Sequence, residues 1–356
     1  MFDPAKLLVC GLVVLTGCST ASRRADKEGA PDWEAPELAT AAPPVSPMPA
    51  PAVLPTPAPA HTNQITETWV PLNRWAELNK LTAGTRLATD SSVFALTAGE
   101  EVMVFEAGSR SAHWNGLELQ LGFAPRVVND ELLVHTLDVQ KNLQPLLNPA
   151  GRITAPAVVV VDPGHGGSDA GASNVFSGRF EKDYTLDWAK RLQPLLAAKG
   201  WEVFLTRTND TRVSLAERVA FAELHKASLF LSLHFNSAYP SQSQAGLESY
   251  CLTPTGMPSN LTRGHADDTT LVFPNNAFDE ENLRHALRLH QALLEVNGNL
   301  DRGVRRARFL GVLRGQNRPA VLLEGGYLSN PQEAREIADP AYRQKLAEAV
   351  AGALSE

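Results

Sequence analysis

Ala157–Val161 is an unbroken apolar run, four of its five residues valine, and it leads straight into Asp162-Pro-Gly-His165-Gly-Gly. A run this β-branched, with no polar alternation, fits a strand buried on both faces, as in a parallel sheet covered by helices. The pattern continues downstream as helix and strand in turn. Asp183–Lys199 reads as a helix with Trp188, Leu192, Leu195 and Leu196 on one face, kinked at Pro194. Glu202–Thr206 reads as a second strand, and Ser214–His225 as a helix opened by a Ser214/Glu217 capping box. Ser228–Leu233 and Leu247–Leu252 are two more strands. Asp279–Gly298 is a long helix with Leu283, Ala286, Leu287, His290 and Leu294 inward. Phe309–Leu313 and Ala320–Leu323 are further expected strands, and helices follow from Pro331 and Pro340. The fold class expected for 155–356 is α/β, a mostly parallel twisted sheet flanked by helices.

On this frame the polar residues gather. His165 follows the first strand, His234 ends SLFLSL, Glu324 ends AVLL, and Glu181 opens the helix after the first strand. Sites in open α/β sheets lie beyond the carboxyl ends of strands. Two His and one Glu form the ligand set of many catalytic zinc ions, with a second Glu free to act as base. The turn at 164–167 could instead cradle phosphate, but it matches neither GxGxxG nor a Walker sequence. A thiolate zinc site is excluded, because Cys251 is the one cysteine beyond the first 18 residues. The net charge of -7 argues against general nucleic-acid binding.

Upstream the texture changes. LLVCGLVVLTG (7–17) is too short to span a membrane and has the length of a signal-peptide core. It ends in Leu15-Thr16-Gly17-Cys18, which resembles a bacterial lipobox, so residues 1–18 read as a lipoprotein signal with Cys18 the lipidated residue. Ser19 after the cysteine implies, by the same resemblance, a periplasmic protein anchored to the outer membrane. Residues 19–62 are Pro- and Ala-rich, a disordered linker that could reach on the order of 100 Å. Residues 65–150 alternate short apolar runs with turns and form a small α+β module. It resembles the N-terminal domain of copper amine oxidases, without implying copper: His113 and His135 are isolated. A spacer or wall-targeting role is expected of it.

VVVDPGHGGSDAGA (159–172), FEKDYTLDWAKRL (180–192), LTRTNDTRVSLAERVAFA (205–222), SLHFNSA (232–238) and PAVLLEGGYLSNPQEA (319–334) together resemble the zinc-dependent N-acetylmuramoyl-L-alanine amidases, type 3. The resemblance implies Zn2+ held by His165, Glu181 and His234, with Glu324 as general base and acid. It implies hydrolysis of the amide joining the lactyl group of N-acetylmuramic acid to L-alanine of the peptidoglycan stem. In some relatives an insertion near this place covers the site until a protein activator lifts it; Gly256–Asn282 is polar and short here, so a mobile loop is expected of it. A monomer is expected.

Two departures from the family pattern stand out: Phe235 where a small residue is common, and Gly325 where Thr or Ser is common. They are expected in the groove wall, clear of the ligand set. Arg207, Asn236 and Arg218 lie in matching motifs, as substrate contacts or as structural braces. Two other readings compete. A zinc carboxypeptidase would place Glu three residues after its first ligand His, where this chain has Ser168. An inactive wall-binding scaffold would usually lack a ligand or the base, and all four residues are present.

Overall fold

A computed structural model of the chain describes residues 68–82, 84–87, 92–147, 153–296 and 298–355. The signal segment, Cys18 and the 19–62 linker lie outside the described residues. Among the described residues no helix is long and apolar enough to cross a membrane. From Asn63 onward the chain is one compact unit.

Its first part is built of short strands. β1 (Trp69–Pro71) leads into helix α1 (Leu72–Leu78). Then come β2 (Thr85–Arg86), β3 (Val93–Ala98), β4 (Glu101–Glu106), β5 (Ser111–Trp114) and β6 (Leu117–Gln120). β7 (Arg126–Val128) and β8 (Glu131–His135) follow, and α2 (Thr136–Asp138) continues through a π-type stretch into α3 (Gln144–Leu147). Inward-facing Phe94, Leu96, Met103, Phe105, Ala112 and Trp114 alternate with more exposed neighbours, which gives β3–β5 one core face. His113 is exposed, while His135 caps α2 and stacks on Phe123, so neither offers a ligand site.

The second part contains β9 (Val158–Pro163), α4 (Glu181–Ala198), β10 (Glu202–Leu205), α5 (Leu215–Leu224), β11 (Leu229–Asn236) and β12 (Leu247–Cys251). These are followed by α6 (Asp279–Leu294), β13 (Asp301–Arg306), α7 (Gly311–Arg314), β14 (Ala320–Tyr327), α8 (Pro331–Ala338) and α9 (Pro340–Ala353). The capping box of α5 forms as its sequence predicts. Helix α4 runs on through Pro194, which removes one backbone donor within it. On α6 the buried leucine of the last turn is Leu293, with Leu294 only partly covered.

Two expectations need correction. Phe309–Leu313 is not a strand: the backbone turns there into the single helical turn of α7. The strand of this region is β13, Asp301–Arg306, whose four charged residues hide it from any apolar pattern. It is tolerated because its side chains are satisfied: Arg302 is ion-paired with Glu248, and the Arg306 guanidinium donates to the Asn142 side-chain oxygen. His234 and Glu324 also do not terminate their strands. β11 continues to Asn236 and β14 to Tyr327, with a register shift between His234 and Asn236.

An 11-stranded sheet in the order β10-β9-β11-β14-β12-β13-β6-β5-β4-β3-β2 runs through both parts. β9, β10, β11 and β14 are mutually parallel, and β12 lies antiparallel to β14. The junction is the parallel pair β13–β6, in register at Val304↔Leu119. Leu117 and Leu119 of β6 pack in the same apolar cluster as Val161, Trp188, Leu231 and Leu323. Polar bonds reinforce the seam. The Glu118 N–H donates to Asp301 (2.8 Å), Arg306 donates to the Lys141 carbonyl (2.7 Å), and Lys141 pairs with Asp279 (3.0 Å).

Candidate active site

The turn after β9 carries His165 in the left-handed backbone region, at φ 62°. That strain of roughly 1 kcal/mol is held in place from outside. Arg207 donates to the carbonyls of Pro163 (3.0 Å) and Gly164 (2.8 Å), and Arg218 to those of Pro163 (2.9 Å) and His165 (2.7 Å). Arg218 is also ion-paired with buried Asp162. Burial works to raise the Asp162 pKa, but the Arg218 guanidinium and the Thr206 hydroxyl together hold the carboxyl below its ordinary value. Of the two readings left open for Arg207 and Arg218, the geometry shows braces. Gly164 is required because a Cβ there would stand 2.3 Å from the His234 ring.

Glu181 is the first residue of α4, where the helix N-terminus favours a carboxylate. Its Oε2 lies 3.1 Å from His165 Nε2 and its Oε1 lies 3.0 Å from His234 Nδ1. One ligand atom from each of the three residues falls within 4.8 Å of the other two. The rings of His165 and His234 meet edge to face, centroids 5.0 Å apart. His165 Nδ1 is engaged by Asp169 Oδ1 at 2.8 Å, which orients the ring so that Nε2 faces inward. Asp169 was not picked out from sequence, although it lies in the same Gly-rich motif four residues on.

The electrostatics follow from this crowding. Burial acts to lower the His165 pKa, but Glu181 and Asp169 override it and push it up to about 10. Against its own burial, Glu181 is held well below the ordinary value by His165 and His234. His234 is lowered, chiefly by burial.

Glu324 pairs in register with His234 on β11 and with Glu248 on β12. It is buried, and its Oε2 has no hydrogen-bond partner among the described residues. Burial first, and the Glu181 charge second, push its pKa up to about 8. Beneath it, Glu248 accepts hydrogen bonds from Asn236 (2.7 Å), Tyr250 (2.6 Å), Arg302 (2.7 Å) and Tyr327 (3.2 Å). Sequence reasoning missed Glu248, which a patterned strand hides among apolar neighbours.

The two departures are also located. Phe235 lies in the core against Trp188, not in a groove wall, and its backbone N–H donates to Glu181 at 3.1 Å, so it does touch the ligand set. Gly325 leaves room for it: a Cβ there would stand 2.7 Å from the Phe235 ring.

A strained glycine turn bearing a histidine, a helix-opening glutamate and a strand histidine thus converge on one point, beside a carboxyl on the facing strand whose Oε2 has no partner among the described residues. Comparison with known proteins bears on the family of the chain. The family model described as N-acetylmuramoyl-L-alanine amidase matches residues 159–356. The chain is 32% identical over 239 residues to N-acetylmuramoyl-L-alanine amidase LytC of Bacillus subtilis, covering 66% of this chain and 43% of LytC. It is 30% identical over 251 residues to amidase AmiA of Escherichia coli, covering 65% of this chain and 84% of AmiA. The probable cell wall amidase LytH of Staphylococcus aureus is 37% identical over 198 residues, 55% of this chain and 56% of LytH. Among solved structures, the catalytic domain of CwlV from Bacillus (Paenibacillus) polymyxa var. colistinus is 31% identical, covering 56% of this chain and 96% of its own, with a TM-score of 0.46. The chain belongs to the N-acetylmuramoyl-L-alanine amidase family.

Proposed function

We propose that the chain hydrolyses the amide between the lactyl group of N-acetylmuramic acid and the first L-alanine of the peptidoglycan stem, as a zinc enzyme. The observation that carries this is the pairing of a convergent His165–Glu181–His234 donor set with a partnerless carboxyl, Glu324, on the adjacent strand. The donor set fits a divalent cation. His165 Nε2 and His234 Nδ1 both face the Glu181 carboxylate, and Asp169 already engages the other nitrogen of His165. Two imidazoles and one carboxylate match zinc in particular.

Bound there, the ion would supply Lewis acidity at the scissile carbonyl and acidify a water. Glu324 does the proton work. A carboxyl whose proton affinity has been raised into the neutral range can take a proton from the attacking water and return it to the departing alanine nitrogen. Its free Oε2 is the atom for that exchange. Asp169 keeps His165 in place, and Arg207 and Arg218 keep the turn that presents it. Upstream, Cys18 as a lipid anchor and 19–62 as a tether would hold the enzyme in the periplasm on the outer membrane.

The test is digestion of purified peptidoglycan by the full chain, with and without chelator, beside Glu324→Ala. New alanine amines, lost in both controls, support the amidase. New D-amino-acid ends would favour the carboxypeptidase reading, and bound metal without any release would favour the inactive scaffold.

A further inference from the structure

The loop from Gly256 to Phe273 carries one cation to the rim of this site. At its tip the His265 N–H donates to the Thr262 carbonyl (2.9 Å), and Arg263 and Gly264 both have positive φ, 47° and 80°. An arginine in the left-handed region costs roughly 1 kcal/mol, so something must hold it there. The holding is visible. Arg263 and His265 both lie against the Phe309 ring, at 5.9 and 5.2 Å. Ser259 and Asp267 clasp the loop's feet (2.7 Å), and Arg308 pairs with Asp267. The N-terminal module takes part. Arg110 donates to the carbonyls of Pro258 (3.1 Å) and Ser259 (3.3 Å), and Asn260 donates to the Leu121 carbonyl (2.8 Å).

What Arg263 does at the tip is unusual among its cationic neighbours. Arg302 and Arg305 are paired with Glu248 and Arg308 with Asp267. Arg263 is exposed, and its hydrogen bond goes to a neutral atom, Asn236 Oδ1, at 3.1 Å. Among the described residues no carboxylate lies within ion-pairing distance of it. Asn236 stands two residues beyond His234, and the Arg263 charge is felt at Glu324. A guanidinium in this place is half of a fork-type carboxylate site.

Resting on the amidase reading, the direction is set by the chemistry. Glu324 delivers its proton to the leaving nitrogen, so the space next to it belongs to the peptide and not to the sugar. The sugar side is neutral, and the stem peptide carries the carboxylates. We propose that Arg263 binds a carboxylate of the stem peptide, on the residue following the L-alanine, with the 65–150 module fixing the loop that presents it. Arg263 is then a specificity residue of the leaving-group side.

The experiment uses the full, metal-loaded chain and two muramoyl peptides, one with a free carboxylate on the second residue and one with that group amidated. Wild type should prefer the free carboxylate, and Arg263→Ala should raise KM and lower kcat/KM for it by about 10- to 100-fold, with the amidated peptide changed less than about twofold. Arg263→Lys should recover part of the loss. In parallel, calorimetry measures binding of the two sugar-free stem peptides to both proteins, a readout that needs no turnover. Equal losses on both peptides, or equal binding of the carboxylate peptide by wild type and Arg263→Ala, overturn the proposal. Absence of turnover by wild type would count against the amidase reading alone, since the binding arm still decides this one.

Discussion

His165 and His290 are both buried, and each faces a carboxylate at 2.8 Å, Asp169 in one case and Asp301 in the other. Around His290 the chain of bonds is closed. Ser249 Oγ meets its second nitrogen at 3.1 Å, and Asp301 also accepts the N–H groups of Gly303 (2.7 Å) and Glu118 (2.8 Å). The connectivity is that of a Ser–His–Asp hydrolase triad, yet Ser249 and His290 are both fully buried and no acyl group can reach the hydroxyl. Around His165 the chain is open. Glu181 stands between two imidazoles, and the Glu324 carboxyl next to them keeps an oxygen without a partner. Residue type and spacing do not separate a brace from a catalyst. An unsatisfied carboxyl oxygen beside a convergent set of donor atoms does.

The contrast can be broken most sharply at Glu324. Glu324→Ala should lower turnover by about 10^3-fold or more while leaving metal content intact, whereas His165→Ala should lose both. Turnover that survives Glu324→Ala would place the proton transfer elsewhere. On the closed side, Asp301→Ala removes three bonds at once and should cost about 3 kcal/mol in urea unfolding, with activity per folded molecule retained. If its turnover drops as far as that of Glu324→Ala, the two clusters are not different in kind.

A pH titration sharpens the same point. The Glu324 pKa rises from the ordinary 4.5 to about 8 on folding, so between those values the folded protein holds a proton the unfolded chain has lost. The group's contribution is therefore fully present below pH 4.5 and is lost as pH rises through 8. Metal-free wild type should lose stability from pH 5 to 8.5, and Glu324→Gln should lose less, by on the order of 2 kcal/mol. Parallel curves would mean that the carboxyl is not buried at a cost. The smallest effect is expected behind the site. Gly325→Ala should destabilise by about 1 kcal/mol, and Phe235→Leu in the same chain should restore part of it, because the two side chains compete for one space.

Much of the open cluster was legible in sequence. His165, Glu181, His234 and Glu324 sit next to strong local signals, a valine run, a helix start and two apolar strands, so their placement at one sheet edge followed from topology. The closed cluster was not legible. His290 falls on the inward stripe of α6 and reads as a core position, and its partner Asp301 opens a strand with too many charges to be recognised as one. Glu248 was hidden for the related reason that its four donors come from β11, β12, β13 and β14. Phe309–Leu313 is the converse case: its apolar content suits a strand, yet the chain forms a one-turn helix there. Pairings across the sheet are decided by register, which no single segment carries.

Leu117 and Leu119 give the seam one more meaning. The stretch that matches the amidase family begins at residue 159, yet two side chains of its apolar core come from 40 or so residues earlier. Recombination near residue 155 would therefore leave behind part of the receiving fold's own interior. To exchange the upstream module for another, the catalytic segment must first refill the space those two leucines occupy.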